Sequence, residues 1–159
     1  MAIAGVGPEA LERDVDLAVQ HQLGAPVTLV ENRSYAARAY ADAALVASGT
    51  ATLEAGISGT PMIIIYKTSP LTYFIGRRLI KVPDIGLVNL VAGKRVVPEF
   101  LQGEARPGAI FLMAQVLLAE GRPRQAVMAE LAKIRDILGE PGAAKRAAGE
   151  IYETLSRRQ

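Results

Sequence analysis

The chain has 159 residues, of which 50% are hydrophobic and 21% charged, an ordinary globular composition for one domain with a normal core. A formal charge of +2 is too small to argue for a nucleic-acid partner, and with 5% aromatics and no Trp there is no stacking platform for single strands. The absence of Cys excludes disulfides, thiolate zinc sites and a cysteine nucleophile and fits a reducing compartment, while the single His21 excludes histidine clusters and weakens any Ser–His scheme.

Met1–Val6 reads as a strand that starts abruptly, and Pro8 stands near the start of a helix with an apolar stripe through Leu11, Val15, Ala18 and Val19. Gly24 ends that helix, whose last turn leaves His21 solvated, and Pro26–Val30 is a second strand rich in β-branched residues. Ser34 is expected to cap a short helix through Ala43, with Tyr35, Ala36, Ala39 and Tyr40 on its buried side. No signal peptide is visible, and no apolar run approaches the roughly 20 residues of a membrane span, so a cytosolic chain is expected.

The stretch Ala44–Thr60 organises the rest. Ala44–Ala47 suits a buried parallel strand, and Ser48-Gly49-Thr50 breaks it, with Ser48 or Thr50 as N-cap of a helix from about Ala51 to Ser58 and Gly59 as its stop. A strand entering a glycine turn that opens a helix points free N–H groups and a positive dipole end at one spot, where a phosphate fits. Glu54 shares a helix face with Thr50 and lies about 6 Å up the axis, at a rise of about 1.5 Å per residue. At that height a carboxylate can accept hydrogen bonds from a ribose while the turn holds phosphates. On the local pattern alone the plainer account, a βα connection with a surface Glu, outweighs this one.

Met62–Tyr66 is the clearest strand in the chain. Lys67–Pro70 is a loop into a helix over Leu71–Ile80, with Arg77, Arg78 and Lys81 at its C-terminal end as a solvated cationic cluster. Pro83–Leu90 reads as a loop and short strand, and Ala92-Gly93-Lys94 as a turn that lacks the first glycine of an NTPase phosphate loop. From Val97 the chain reads as helical. Ala109–Ala119 is apolar on nearly every face and is expected to be buried, Val127, Leu131, Ile134 and Leu138 mark an amphipathic helix, and Ala143–Leu155 is a final one. The alternation gives an α/β fold with a parallel sheet, helices on both faces and extra C-terminal helices, in which ligands sit at the carboxyl ends of the strands.

In order along Ala47–Gln102 stand an SGTATLE turn, an apolar strand ending in Tyr plus a basic residue, SPLTY, RRLIKVP, NLVAG and VVPEFLQ. This succession resembles the C-terminal half of lipid-A-disaccharide synthase, with Asp84-Ile85-Gly86 and Val88 as local departures before the Asn. The resemblance implies the second, UDP-sugar-holding Rossmann domain of a two-domain GT-B glycosyltransferase. Such an enzyme joins UDP-2,3-diacylglucosamine to 2,3-diacylglucosamine 1-phosphate (lipid X) at the inner membrane surface and releases UDP, with no cofactor or metal. Carried over residue by residue, Ser48, Gly49, Thr50 and Thr52 belong to the turn that faces the diphosphate, and Glu54 faces the ribose. Tyr66 and Lys67 border the cleft, and Asn89 with Gly93 lines the donor pocket.

The same resemblance places the acceptor site, the membrane contact and the general base in a first domain that this sequence does not include. Relative to the family's second domain the chain begins one strand late, at Met1–Ala4. The expectations that follow are a gap or rearrangement in the sheet, self-association through unpaired strand edges, weak UDP binding and no catalysis alone. The other classes left open are a non-catalytic UDP-sugar-binding or interaction module and another UDP-N-acetylglucosamine-using enzyme of the same architecture.

Overall fold

The computed structural model describes residues 34–47, 49–69, 73, 78, 84–139 and 142–157. The strands expected at Met1–Val6 and Pro26–Val30, the first helix, and Ser48 therefore lie outside the described residues, as does nearly all of the helix expected over Leu71–Ile80.

Helix α1 (Ser34–Ala39) leads to strand β1 (Ala44–Ala47), helix α2 (Thr50–Ile57) and strand β2 (Met62–Tyr66). Helix α3 (Leu87–Ala92) precedes strand β3 (Glu99–Leu101), and a short 3-10 turn, Gln102–Glu104, follows it. The chain then runs through three helices, α4 (Pro107–Leu118), α5 (Arg122–Leu138) and α6 (Ala143–Ser156). The three strands form a parallel sheet in the order β1-β2-β3, with Val46 beside Ile64 and Ile65 beside Phe100. Parallel strands joined through helices make this the Rossmann-like α/β fold expected of the sequence.

Strand alternation divides β2 between two sides. Met62 and Ile64 join the core cluster with Val46, Ala55, Val88, Val97, Leu131 and Ile134, so α2, α3 and α5 share one apolar centre. Ile63 is also buried but belongs to the opposite side of the pleat, and α4 meets the sheet at β2. Leu131 and Ile134, two members of the stripe expected on α5, are fully buried, whereas Leu138 ends it exposed.

Five expectations need correction. Gly49, not Ser48 or Thr50, is the N-cap of α2, no side chain caps that helix, and Thr50 is its first residue. The segment Leu87–Ala92 is a helix, not a short strand, and Glu99–Leu101 is a strand where continuous helix was expected. Both errors have one cause. Helix α3 has no capping side chain in its own sequence, because the acceptor comes from Glu99, which takes the N–H groups of Ile85 and Gly86, each at 2.9 Å.

Helix α1 is shorter than expected and turns a different face inward. Tyr40 is 90% exposed and Tyr35 is exposed too, while Arg38 is buried. The Arg38 carbonyl accepts the Thr60 hydroxyl at 2.6 Å, which pins the end of α1 to the segment after α2. Helix α4 is not buried: Phe111 and Leu112 are 62% and 64% exposed, and Leu117 alone among its residues is buried. Uniform apolarity removes the periodic signal that tells which face packs, and contact with β2 and α5 covers only one side of this helix. No helix among the described residues is long and apolar enough to cross a membrane.

Candidate functional site

The carboxyl ends of β1, β2 and β3 lie side by side, and two of the expected site segments follow from that register. Ala47 pairs with Ile65 and Tyr66 with Leu101, so the Gly49 turn, Tyr66-Lys67 and Gln102 all leave the same edge of the sheet. Gly49 has φ 144°, a conformation that L side chains rarely adopt, and an added Cβ would meet nothing within 4 Å. That absence of contacts holds among the described residues. Thr52 is fully buried, and its hydroxyl donates to the Gly49 carbonyl at 2.7 Å, as does its backbone N–H at 3.1 Å. Thr52 thus fixes the turn from inside. Thr50 is exposed at the first position of α2, where first-turn N–H groups have no partner within the helix.

Glu54 stands one turn further along α2 and is half exposed, with 48% of its side chain accessible. Its Oε2 accepts a hydrogen bond from Nη2 of Arg38, whose own side chain is only 8% accessible. The ordering of that pair was not foreseen, because the tyrosines of α1 drew its apolar face to the wrong side.

Tyr66 is half-buried at the end of β2, and Lys67 is exposed beyond it. The loop they begin is tied to the loop after β3 by a two-way clasp. Thr68 N–H donates to Gln102 Oε1 at 2.7 Å, and Gln102 Nε2 donates to the Thr68 carbonyl at 2.9 Å. Gln102 adopts φ 49°, the positive-φ residue other than glycine among those described. An open cavity of about 560 Å³ lies beside this clasp, lined by Tyr73, Phe100, Gln102, Arg106 and Ala109 among others. Gly49, Thr50 and Glu54 do not line it.

Asn89 is 1% exposed, and its amide makes four bonds to protein. Nδ2 donates to the Val97 carbonyl at 2.9 Å and to Glu99 Oε1 at 2.8 Å, while Oδ1 accepts Val96 N–H at 2.8 Å and Val97 N–H at 3.0 Å. An amide has two donors and about two acceptor sites, so this side chain is fully used. It ties α3 to the start of β3. Gly93, with φ 65°, closes α3 in the left-handed conformation and is exposed. No hydrogen bond among the described residues joins Asn89 or Gly93 to the Gly49 turn.

The departures noted before Asn89 serve this clamp. Buried Asp84 accepts from Arg95 Nε at 2.6 Å, and that hydrogen bond holds the Arg95 guanidinium above its usual range against the opposing effect of burial. At Gly86 an added Cβ would lie 2.2 Å from Ile64 Cδ1 and 2.9 Å from Glu99 Oε1, so only glycine lets the loop approach the sheet.

The family profile described as lipid-A-disaccharide synthetase matches residues 8–149, nearly the whole chain. The chain belongs to the lipid-A-disaccharide synthetase family. It is 56% identical over 124 residues to the lipid-A-disaccharide synthase of Syntrophus aciditrophicus, covering 77% of this chain and 32% of that protein. It is 46% identical over 132 residues to the Myxococcus xanthus protein of the same name, covering 83% and 34%. For the Geobacter sulfurreducens lipid-A-disaccharide synthase the match is 42% over 134 residues, covering 84% and 35%. The chain therefore spans about a third of the length of the synthases it matches. Within the family's shared stretch, the NLVAG and VVPEFLQ pieces are the two ends of one buried clamp, Asn89 bonded to Glu99.

Proposed function

We propose that this chain is the donor-holding part of a hexosyltransferase that moves 2,3-diacylglucosamine from UDP to lipid X, forming the β-1,6-linked lipid A disaccharide 1-phosphate and UDP. One observation carries the reading. An uncapped helix start at Gly49 stands at the carboxyl edge of a parallel sheet, with no other described residue within 4 Å of a Cβ added there, and one turn above it Glu54 keeps its Oε1 without a partner among the described residues. A diphosphate at the turn has N–H donors and the helix dipole, and a ribose above it has a carboxylate acceptor. Ser48, Gly49 and Thr50 border the diphosphate, with Thr52 holding the Gly49 carbonyl. Tyr66 and Lys67 flank the donor, and the Lys67 ammonium adds positive charge beside the phosphates. Asn89 contributes by building the turn that carries the exposed Gly93.

The general base and the acceptor site belong to the part of the synthases outside the matched third, so this chain supplies binding and orientation of the donor. The complete enzyme works at the inner membrane surface, where both of its lipid substrates reside. Isothermal titration tests the reading: the chain binds UDP and UDP-sugars in preference to UMP and ADP. Joined to the remaining two thirds of a synthase, it forms the disaccharide 1-phosphate, followed by mass spectrometry. A folded chain indifferent to UDP, in a joined protein that makes no disaccharide, overturns it.

A further inference from the structure

We infer that Arg38 is a positioning residue for nucleoside recognition, holding Glu54 so that its free oxygen meets a vicinal diol, the ribose 2′- and 3′-hydroxyls of a nucleoside diphosphate. The inference rests on the donor reading of the Gly49 turn and adds to it a residue that no motif in the chain marks. The geometry is one-sided. The Arg38 side chain is 8% accessible and its Nε is buried with no hydrogen-bond partner among the described residues, so Glu54 is the acceptor that compensates a nearly buried cation. A buried charge deprived of its partner is strongly unfavourable, which makes the guanidinium hold the carboxylate in place.

Arg38 is itself held from behind. Its carbonyl accepts the Thr60 hydroxyl at 2.6 Å and the Ala41 N–H at 3.3 Å, so α1 is anchored to the chain just after α2. The fork therefore stands on fixed backbone. It takes Oε2 of Glu54 and leaves Oε1 open on a side chain that is 48% accessible. An unrestrained glutamate on an exposed helix face samples several rotamers, and ordering one such side chain on binding costs about two- to tenfold in affinity. Arg38 removes that loss in advance.

The experiment titrates the full chain with UDP and with 2′,3′-dideoxy-UDP, in the unmutated protein, Arg38→Met, Arg38→Lys, Glu54→Gln and the Arg38→Met/Glu54→Gln double variant, each checked for cooperative thermal unfolding. The unmutated protein is expected to prefer UDP about tenfold or more, the ratio given by charge-assisted bonds to the diol. Arg38→Met lowers UDP affinity about two- to tenfold, leaves dideoxy-UDP affinity unchanged and so shrinks the ratio. Arg38→Lys, which keeps the charge without the planar fork, falls between and decides the matter if the Met variant does not fold. In the Glu54→Gln background Arg38→Met has no further effect on UDP affinity. A ratio that survives Arg38→Met or Arg38→Lys in full, or equal losses for both ligands, overturns the inference alone. An unmutated protein that binds both ligands equally overturns the ribose role of Glu54 and this inference with it.

Discussion

Asn89→Asp is nearly isosteric and reverses a single set of hydrogens, which makes it a sharp probe of the clamp between α3 and β3. In the native protein Nδ2 supplies two hydrogens, one to the Val97 carbonyl at 2.9 Å and one to Glu99 Oε1 at 2.8 Å. An aspartate puts an oxygen there instead, so two acceptors face it with no hydrogen between them, and one of the two is a buried carboxylate. The Val97 carbonyl and the introduced oxygen are left unpaired while Glu99 Oε1 keeps the Gly86 N–H, and at about 1–3 kcal/mol for each unpaired buried acceptor the change costs about 2–6 kcal/mol. That is a large share of the 5–15 kcal/mol that holds a typical domain together. The penalty also acquires a pH dependence. A proton taken up by the introduced carboxyl, buried beside another carboxylate, restores a donor, so the folded variant binds more protons than its unfolded chain near neutrality and loses stability as pH rises. Urea unfolding between pH 5 and pH 8 is expected to show a penalty that grows with pH, whereas Asn89→Ala, which adds no titratable group, shows one that does not. An Asn89→Asp protein as stable as the native one at pH 8, with weakened UDP binding, would show that Asn89 faces the ligand and that the clamp is unimportant.

Gly86→Ala is expected to cost about 1–3 kcal/mol or more by overpacking, since its Cβ would lie 2.2 Å from Ile64 Cδ1; denaturant midpoints check this, and an unchanged midpoint refutes the close approach. Gly49→Ala is expected to lose about 1–3 kcal/mol from φ 144° alone, since its Cβ touches nothing, and Gly49→Val in the joined enzyme raises the donor KM; a stable variant with native donor kinetics argues against both. Glu130 is held below the usual carboxylate range chiefly by its hydrogen bond from Lys133 and next by that from Lys94, at 2.8 and 2.7 Å. Its contribution is present above the ordinary glutamate range and lost as pH falls through the lowered value, so Glu130→Gln flattens that acid limb of the Tm–pH curve; an identical limb in both proteins shows that the contacts add nothing.

What was legible in the sequence follows how locally each feature is encoded. Strand β2 carries four consecutive apolar residues before Tyr66, and α5 repeats Val127, Leu131 and Ile134 at helical spacing, so both declare themselves without help from elsewhere. The glycine turn was legible for the same reason, since strand, Gly49 and α2 are contiguous. The misread elements depend on partners far along the chain. Helix α3 is started by a carboxylate 13 residues away, and β3 is a three-residue strand whose first side chain looks inward to serve that helix. The face of α1 is set by an ion pair 16 residues apart and by a hydroxyl 22 residues away, neither of which a periodicity count can see.

The pieces that carry the resemblance divide by what their side chains touch. Asn89, Glu99 and Thr52 are buried and have their hydrogen bonds satisfied by protein, so a ligand would have to break the fold to reach them. Glu54 and Thr50 are exposed, and no other described residue comes within 4 Å of a Cβ added at Gly49. A side chain fully bonded inside the fold gains nothing from a ligand, whereas an exposed carboxylate with one committed oxygen still has an acceptor to offer. Shared sequence alone does not separate these two groups, but burial and bond satisfaction do. On the donor reading, substitutions on the exposed helix face from Thr50 to Glu54, backed by Arg38, are expected to change affinity, and those in the NLVAG–VVPEFLQ clamp stability.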